Sequence, residues 1–329
     1  MSSKNPVRRA PRYVAPVEDS ALGAVDAVRV SEKKSNLWLD AWRDLRKRPM
    51  FWISSVLILF IVFVALFPGV FTQTPPNSDC WLSADSSRVD NPYAASNGAP
   101  APGHPLGFTK QGCDIFSRIV HGASTSLSVG IIASLFVATM GIVMGGLAGF
   151  FGGWVDAVLM RIGDIFFAIP YILAAVVVMS VFSAHRNVFV IALAIGAFAW
   201  PSTSRILRSE VLRIKQSDYV MASTALGLSR LKVLARHVLP NSIAPLIVVT
   251  TISLAAGITA EATLSFLGVG LPNHIMSWGN DISAAQNDLR NNPTTLIYPS
   301  IALSVTVLAV IMLGETLREA LDPRARALR

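Results

Sequence analysis

Charge is what this chain has least of. Asp, Glu, Lys and Arg make up 15% of its 329 residues, against about a quarter in soluble domains, while 52% are hydrophobic. That balance excludes an ordinary water-soluble enzyme and points to a membrane protein. Cysteine is almost absent: Cys80 and Cys113 are the only two, which rules out a cysteine-rich zinc array or a disulfide-dense fold. Five scattered histidines without an HExxH pattern offer no metalloenzyme site, so neither a metal nor a catalytic residue is assigned. No GxxxxGK[ST] occurs anywhere, and the chain therefore has no recognisable ATP site of its own. A net charge of +8 in so apolar a chain reads as basic cytoplasmic loops and not as a nucleic-acid surface.

What is present is long apolar sequence. Stretches free of acidic and basic residues run Phe51 to Ser78, Gly122 to Val155, Ile165 to His185, Asn187 to Ser204, Val238 to Ala260 and Asn291 to Gly314. Each can hold a helix near the roughly 20 residues that a bilayer requires. One such stretch could be a buried helix of a soluble core, but six could not. The expected fold is all-α and polytopic, with six transmembrane helices. If the N-terminus is inside, segments 1–50, 205–237 and 318–329 hold 22 of the 28 Lys and Arg residues, and the outer segments hold only Arg88, Lys110, Arg118, Arg186 and Arg290. Both termini are accordingly expected in the cytoplasm.

Residues 1–35 are rich in Pro, Ala and charge, without an apolar stripe, and read as a disordered cytoplasmic tail. Residues 36–50 form an interfacial amphipathic helix: Leu37, Trp38, Ala41, Trp42 and Leu45 share one face, and Arg43, Arg46, Lys47 and Arg48 reach toward anionic membrane lipid. The first transmembrane helix takes 51–71. An outer loop, 72–121, contains proline and glycine throughout and is too long for a simple turn, so an ordered extracytoplasmic subdomain is expected. Both cysteines fall in it, on the oxidising side, and a Cys80 to Cys113 disulfide is expected, with two free thiols as the alternative. Residues 122–321 complete a five-helix core, and 322–329 form a cytoplasmic tail.

Gly141, Gly145, Gly149 and Gly153 recur every four residues, a ridge without side chains that another helix can approach closely. Further on, YVMASTALGLSRLKVLARHVLP spans Tyr219 to Pro240. Tyr219 to Leu226 reads as a short helix ended by Gly227, and Ser229 as the N-cap of a second helix that stops at Pro240. Such a knob could lodge in a partner's groove or lie against its own bundle.

This segment resembles the EAA loop of binding-protein-dependent ABC importer permeases, through Ala222, Ala225, Gly227, Leu239 and Pro240. The likeness to the C-type permease of dipeptide and oligopeptide importers runs from about Asn36 to the end. It includes His104-Pro105-Leu106-Gly107, Gly112, Asp114, Ser117-Arg118, Gly122 and Ser126-Leu127. It continues through Arg161, Asp164, Phe167-Ala168-Ile169-Pro170, Asp218-Tyr219-Val220 and Arg236-His237-Val238-Leu239-Pro240-Asn241. Glu261 to Gly268, Ser277-Trp278-Gly279 and Leu317 to Pro323 complete it. The chain departs from the family at Phe108-Thr109, at Cys113 and in the proline-poor run Leu271 to Met276.

The resemblance implies a type I ABC importer permease fold in the bacterial inner membrane and a transporter subunit that does no bond chemistry. It implies a second permease subunit, two ABC ATPase subunits that bind ATP and Mg, an extracytoplasmic substrate-binding protein and a peptide substrate. The chain itself needs no cofactor. Tyr219, Ala222, Ala225, Leu226, Gly227, Arg236, His237, Leu239 and Pro240, within a coupling loop 218–240, would meet an ATPase. Nickel, opine or haem import by the same family is the alternative. An intramembrane enzyme would need paired acid or base groups at mid-depth, and the spans contain none.

Charges within the spans are candidates for gate or structural groups. Arg161 and Asp164 lie three apart on one helical face, as do Glu315 and Arg318, which suggests local pairs. Glu261 falls near the outer end of span five. Met179, Phe182 and Phe198 could line a pathway or simply pack.

Overall fold

The computed structural model of the protein describes residues 37–77, 80 and 96–321, all in one compact unit. The tails expected at 1–35 and 322–329 lie outside the described residues. The architecture is all-α. In order it comprises α1 (Leu37–Leu45), α2 (Pro49–Leu66), α3 (Ile115–Phe151), α4 (Gly153–Phe167), α5 (Tyr171–Val181), α6 (Val188–Lys215), α7 (Asp218–Ala225), α8 (Arg230–Phe266), α9 (Trp278–Ala285) and α10 (Thr294–Leu321). Five of these, α2, α3, α6, α8 and α10, are long and apolar enough to cross a membrane, and the bent pair α4 and α5 makes a sixth span if taken together.

That sixth span is not the straight helix expected over Ile165 to His185. α4 and α5 meet at 77°. Pro170 stands at the break, where it lacks an N–H to donate and restricts Ile169 before it to extended geometry, so the helix cannot run through. Two other spans are longer than the uncharged stretches suggested. α3 starts seven residues before Gly122 because Asp114 caps it, accepting from Phe116 N at 3.3 Å and Ser117 N at 3.2 Å. α6 continues past Ser204 because its charges are paired: Arg205 with Asp164, Arg208 with Asp156 and Arg213 with Glu210.

α3, α5, α6 and α8 enclose the main core around Val129, Met179, Ile191, Ile195 and Leu264. α3 and α8 cross backbone to backbone, since a Cβ on Gly257 would lie 3.2 Å from Gly130 Cα. α2 packs at the periphery and is exposed along almost its whole length, as a lipid-facing helix must be. In α1, Ala41 and Leu45 are buried against Val248, Ala320 and Leu321 of the bundle. Trp42 remains half exposed.

The glycine ridge is partly reassigned. Three of its four members meet α6: a Cβ would come within 2.7 Å of Thr203 Cγ2 at Gly141, 2.3 Å of Ser204 O at Gly145 and 2.8 Å of Arg208 O at Gly149. Gly153 is not a packing glycine. It begins α4 with φ +56 and faces open space, because Gly152 at φ +66 has already broken the helix and rotated it off the ridge. A wider π-turn over Gly141–Gly145 lies where α3 passes α6.

Candidate functional site

Three features could serve transport. The first is α7 and the turn after it. Val220 is the only buried residue of α7 and packs with Leu207, Val211, Ile214, Val233 and Leu234. This seat holds one face of the helix, while Tyr219, Met221, Ala222, Ala225 and Leu226 are exposed, Leu226 to 82%. Gly227 has φ +85, and its amide donates to Thr224 O at 3.0 Å, the left-handed closure that glycine adopts without strain. A cavity of about 520 Å³ runs beneath, lined by Phe150, Phe151, Lys215, Thr224 and Arg230.

The next helix corrects two expectations. Ser229 stands at its N-cap position but its side chain makes no capping bond. Pro240 does not stop it: α8 runs through the proline from Arg230 to Phe266, 37 residues in all. A π-turn over Leu234–Val238 precedes the proline, widening the helix where the Pro240 ring would meet the carbonyl four residues back. His237 O accepts from Asn241 Nδ2 at 2.6 Å. Arg236, His237, Leu239 and Pro240 thus sit on α8 and do not belong to α7, and Leu239 lies against Gly146 of α3.

The second feature is a cavity of about 310 Å³ at the α4–α5 break, walled by Phe167, Tyr171, Phe198, Ser202, Ser253 and Gly257. It is apolar with a few hydroxyls, the lining suited to a neutral or mixed solute. Phe198 belongs to it. Met179 does not, being wholly buried in the core, and Phe182 is exposed at the end of α5.

The third is a polar network at the disulfide-bearing end. Glu261 is fully buried; its Oε1 accepts from Ser265 Oγ and Ser277 Oγ, each at 2.9 Å, and its Oε2 from Ser126 Oγ at 3.3 Å. It therefore joins α8, α3 and the start of α9. Arg118 reaches Asp281 of α9 from Nε at 2.7 Å and also bonds Asn77 Oδ1. Burial pushes the Asp281 carboxyl above its ordinary range, against the opposing pull of Arg118. The Arg118 to Asp281 pair has no signal in a sequence separation of 163 residues. Beside it Cys80 and Cys113 are bonded and fully buried, their Cα atoms 5.1 Å apart.

The remaining charges are mostly elsewhere. Asp164 pairs not with Arg161 but with Arg205 of α6 at 2.8 Å, and Arg205 also lies 4.1 Å from the Phe167 ring centroid. Arg161 is exposed, with no ion pair among the described residues. Glu315 and Arg318 approach to 3.8 Å on an exposed face, while Glu319 takes Arg48.

Residues 141–327 match the family described as binding-protein-dependent transport system inner membrane component, and residues 36–100 match the N-terminal TM domain of oligopeptide transport permease C. The oligopeptide transport system permease protein OppC of Bacillus subtilis is 32% identical over 94% of this chain and 97% of its own length. The dipeptide transport system permease protein DppC of Alkalihalophilus pseudofirmus is 31% identical over 88% and 91%. The glutathione transport system permease protein GsiD of Escherichia coli is 32% identical over 93% and 97%. In fold, a solved structure of the MetNI methionine ABC transporter superposes with a TM-score of 0.52 at 19% identity, covering 62% of this chain and 96% of that one. The chain belongs to the binding-protein-dependent transport system inner membrane component family, as a multi-pass permease subunit of a peptide ABC importer.

Proposed function

We propose that this subunit forms half of a peptide pathway and takes its mechanical drive through α7. The observation that carries this reading is the surface of α7: one apolar residue anchors it, and Leu226 stands 82% exposed at its tip beside the Gly227 turn. An apolar tip on a seated helix favours insertion into a groove of another protein over solvation. The groove belongs to an ATPase subunit, whose closure on ATP pushes α7 and, through the Val220 seat, the ends of α6 and α8. Both termini and α7 lie in the cytoplasm on this reading, with the disulfide and Glu261 outside, in keeping with the distribution of Lys and Arg. The cavity between Phe167, Phe198, Ser202 and Ser253 then faces a sister permease, and alternating access moves peptide past it. An external substrate-binding protein docks over the disulfide-bearing loop. Peptide cargo agrees with the relatives, named for oligopeptide, dipeptide and glutathione transport.

Gly227→Val tests the coupling role. The turn needs a positive φ that a β-branched residue resists, so the tip of α7 is misdirected while the spans remain intact. Expected are normal membrane insertion, poor copurification of the ATPases and little stimulated hydrolysis; Lys232→Ala should do less. A Gly227→Val complex that transports labelled peptide at the wild-type rate would show α7 to be an ordinary loop. Uptake of nickel or haem with no uptake of peptide would move the cargo assignment to another branch.

A further inference from the structure

The elbow between α1 and α2 carries cations that neither the α7 surface nor the α4–α5 cavity uses. α2 is 18 residues long, about 27 Å, close to the thickness of the hydrocarbon core, and it is exposed along almost all of its length. Arg46, Lys47 and Arg48, which precede it, therefore stand at headgroup level whichever way the chain is oriented. Of the four basic residues expected to reach toward lipid, packing engages two. Arg43 goes to Asp40 at 3.2 Å and Arg48 to Glu319 of α10, while Arg46 and Lys47 are exposed and have no ion pair among the described residues. The other charges described at this end of α1 and α10 are Asp44, also without an ion pair, and the Glu315 to Arg318 pair. Five cations against four carboxylates leave the elbow a net charge of +1. Aromatic rings frame it: Trp52 Nε1 donates to Arg46 O at 3.0 Å, and Phe51 lies edge-on to Trp42 and Trp52, at 5.9 and 5.6 Å. Both indoles are half exposed, the placement of tryptophan at a membrane interface.

A second feature lies deeper beside the same helix. A cleft of about 340 Å³ is lined by Ile58, Ser134, Thr250, Thr251, Leu254 and Val310, where α2, α3, α8 and α10 meet, and no charged residue borders it. Ile58 is nine residues from Pro49, about 13.5 Å along α2, which is acyl-chain depth in the leaflet whose headgroups meet the elbow. The Ser134 and Thr251 hydroxyls are spent on Ile131 O and Ile247 O of their own helices, so the cleft asks for no polar guest. Val248, against which Ala41 and Leu45 of α1 pack, lies on the same stretch of α8 as the cleft residues Thr250 and Thr251.

We propose that the elbow and the cleft together hold one anionic phospholipid, its phosphodiester on Arg46 and Lys47 and an acyl chain in the cleft. One phosphodiester carries a single negative charge and balances the net charge of the elbow. Arg46 and Lys47 gain a partner at no expense, whereas Arg43 and Arg48 would each have to give up an ion pair. The cleft is as apolar as the chain that fills it, and a void there would forfeit dispersion contacts. The lipid ties the α1–α2 elbow to α8 and α10. Its binding depends neither on α7 nor on the cargo.

The full-length chain, alone and in its complex, is purified in mild detergent with its lipid exchanged for phosphatidylcholine, then offered phosphatidylglycerol of matched chains. Native mass spectrometry reads the lipid retained, and Tm is followed alongside. Retention of one phosphatidylglycerol per copy of this chain in preference to phosphatidylcholine, with a Tm raised by a few degrees, is expected. Arg46→Gln combined with Lys47→Gln should weaken that retention about fivefold for each cation removed. Lys232→Gln, which removes an exposed cation from the first turn of α8, should leave it unchanged and so separate a site from general attraction to positive charge. If the elbow variant does not insert, Thr250→Phe, which fills the cleft and keeps the cations, should weaken retention severalfold. Glycerol 3-phosphate, the same phosphate chemistry without chains, should neither displace the lipid nor raise Tm. Equal retention of the two lipids, unchanged retention in the elbow and cleft variants, or glycerol phosphate acting as well as the lipid would overturn the proposal, the last by showing a soluble-anion site. Retention by the isolated chain that is lost in the complex would also overturn it, because a sister permease would then cover the cleft.

Discussion

Glu261 shows how much one side chain can connect. It is fully buried, yet three serine hydroxyls from α3, α8 and the segment leading into α9 satisfy it. Removing the carboxylate leaves those donors without their acceptor, and Glu261→Ala should destabilise the protein by about 2 to 4 kcal/mol, with Glu261→Gln recovering part. Thermal unfolding of the purified protein checks this; an Ala variant as stable as wild type would mean that water replaces the carboxylate freely. Glycines at the α3–α6 crossing make a second residue-level case. Gly145→Ala places a Cβ 2.3 Å from the Ser204 carbonyl, a clash that only separation of the two helices relieves. A loss of roughly 1 to 3 kcal/mol is expected, whereas Gly69→Ala, which meets nothing within 4 Å, should be near neutral. The four-residue spacing announced close packing here, but the end of the ridge at Gly153 was not legible, because it depends on the backbone reversal at Gly152.

At the scale of elements, the described part of the loop between α2 and α3 carries the disulfide and ends on the Asp114 cap. The Cys80 to Cys113 disulfide closes 33 residues, which in the chain-entropy model stabilises the closed loop by about 3 to 4 kcal/mol. Cys113→Ser should therefore raise the susceptibility of this loop to added protease well before the spans unfold, and a wild-type digestion pattern would argue against that role. Helix boundaries were the least legible part of the sequence. The charges after Ser204 suggest that α6 ends there, yet Arg205 and Arg208 are carried on it because Asp164 and Asp156 of α4 neutralise them. A proline at 240 suggests that the helix ends there, yet the π-turn before it lets α8 continue. In both cases a partner or a backbone adjustment, absent from any local pattern, changed the outcome.

For the whole molecule, the orientation rests on where the cations are, and one labelling experiment tests it. A cysteine introduced at exposed Ser96, in a background without reactive thiols, should react with an impermeant reagent in intact cells. Reaction only after lysis would invert the topology and with it the assignment of α7 to the ATPase side. The long span α3, at 37 residues, measures about 55 Å, more than the hydrocarbon core needs, so its ends must project beyond the bilayer. These projections carry the Asp114 cap at one end and the Phe150 wall of the α7 cavity at the other.

Composition and apolar run length by themselves determined that this is a polytopic all-α membrane protein, because the bilayer tolerates no other backbone at that hydropathy. Local turn chemistry determined where α7 ends, since Gly227 needs no tertiary partner to take a positive φ. The tertiary structure alone decided which charges meet: Arg118 with Asp281, Arg205 with Asp164, Arg208 with Asp156. It alone decided that α4 and α5 break at 77° around a cavity. The physical reason is one of range. Hydrophobic periodicity and backbone preference act over a helical turn, whereas a buried charge is settled by whatever opposite charge or donor the packing of distant helices brings to it.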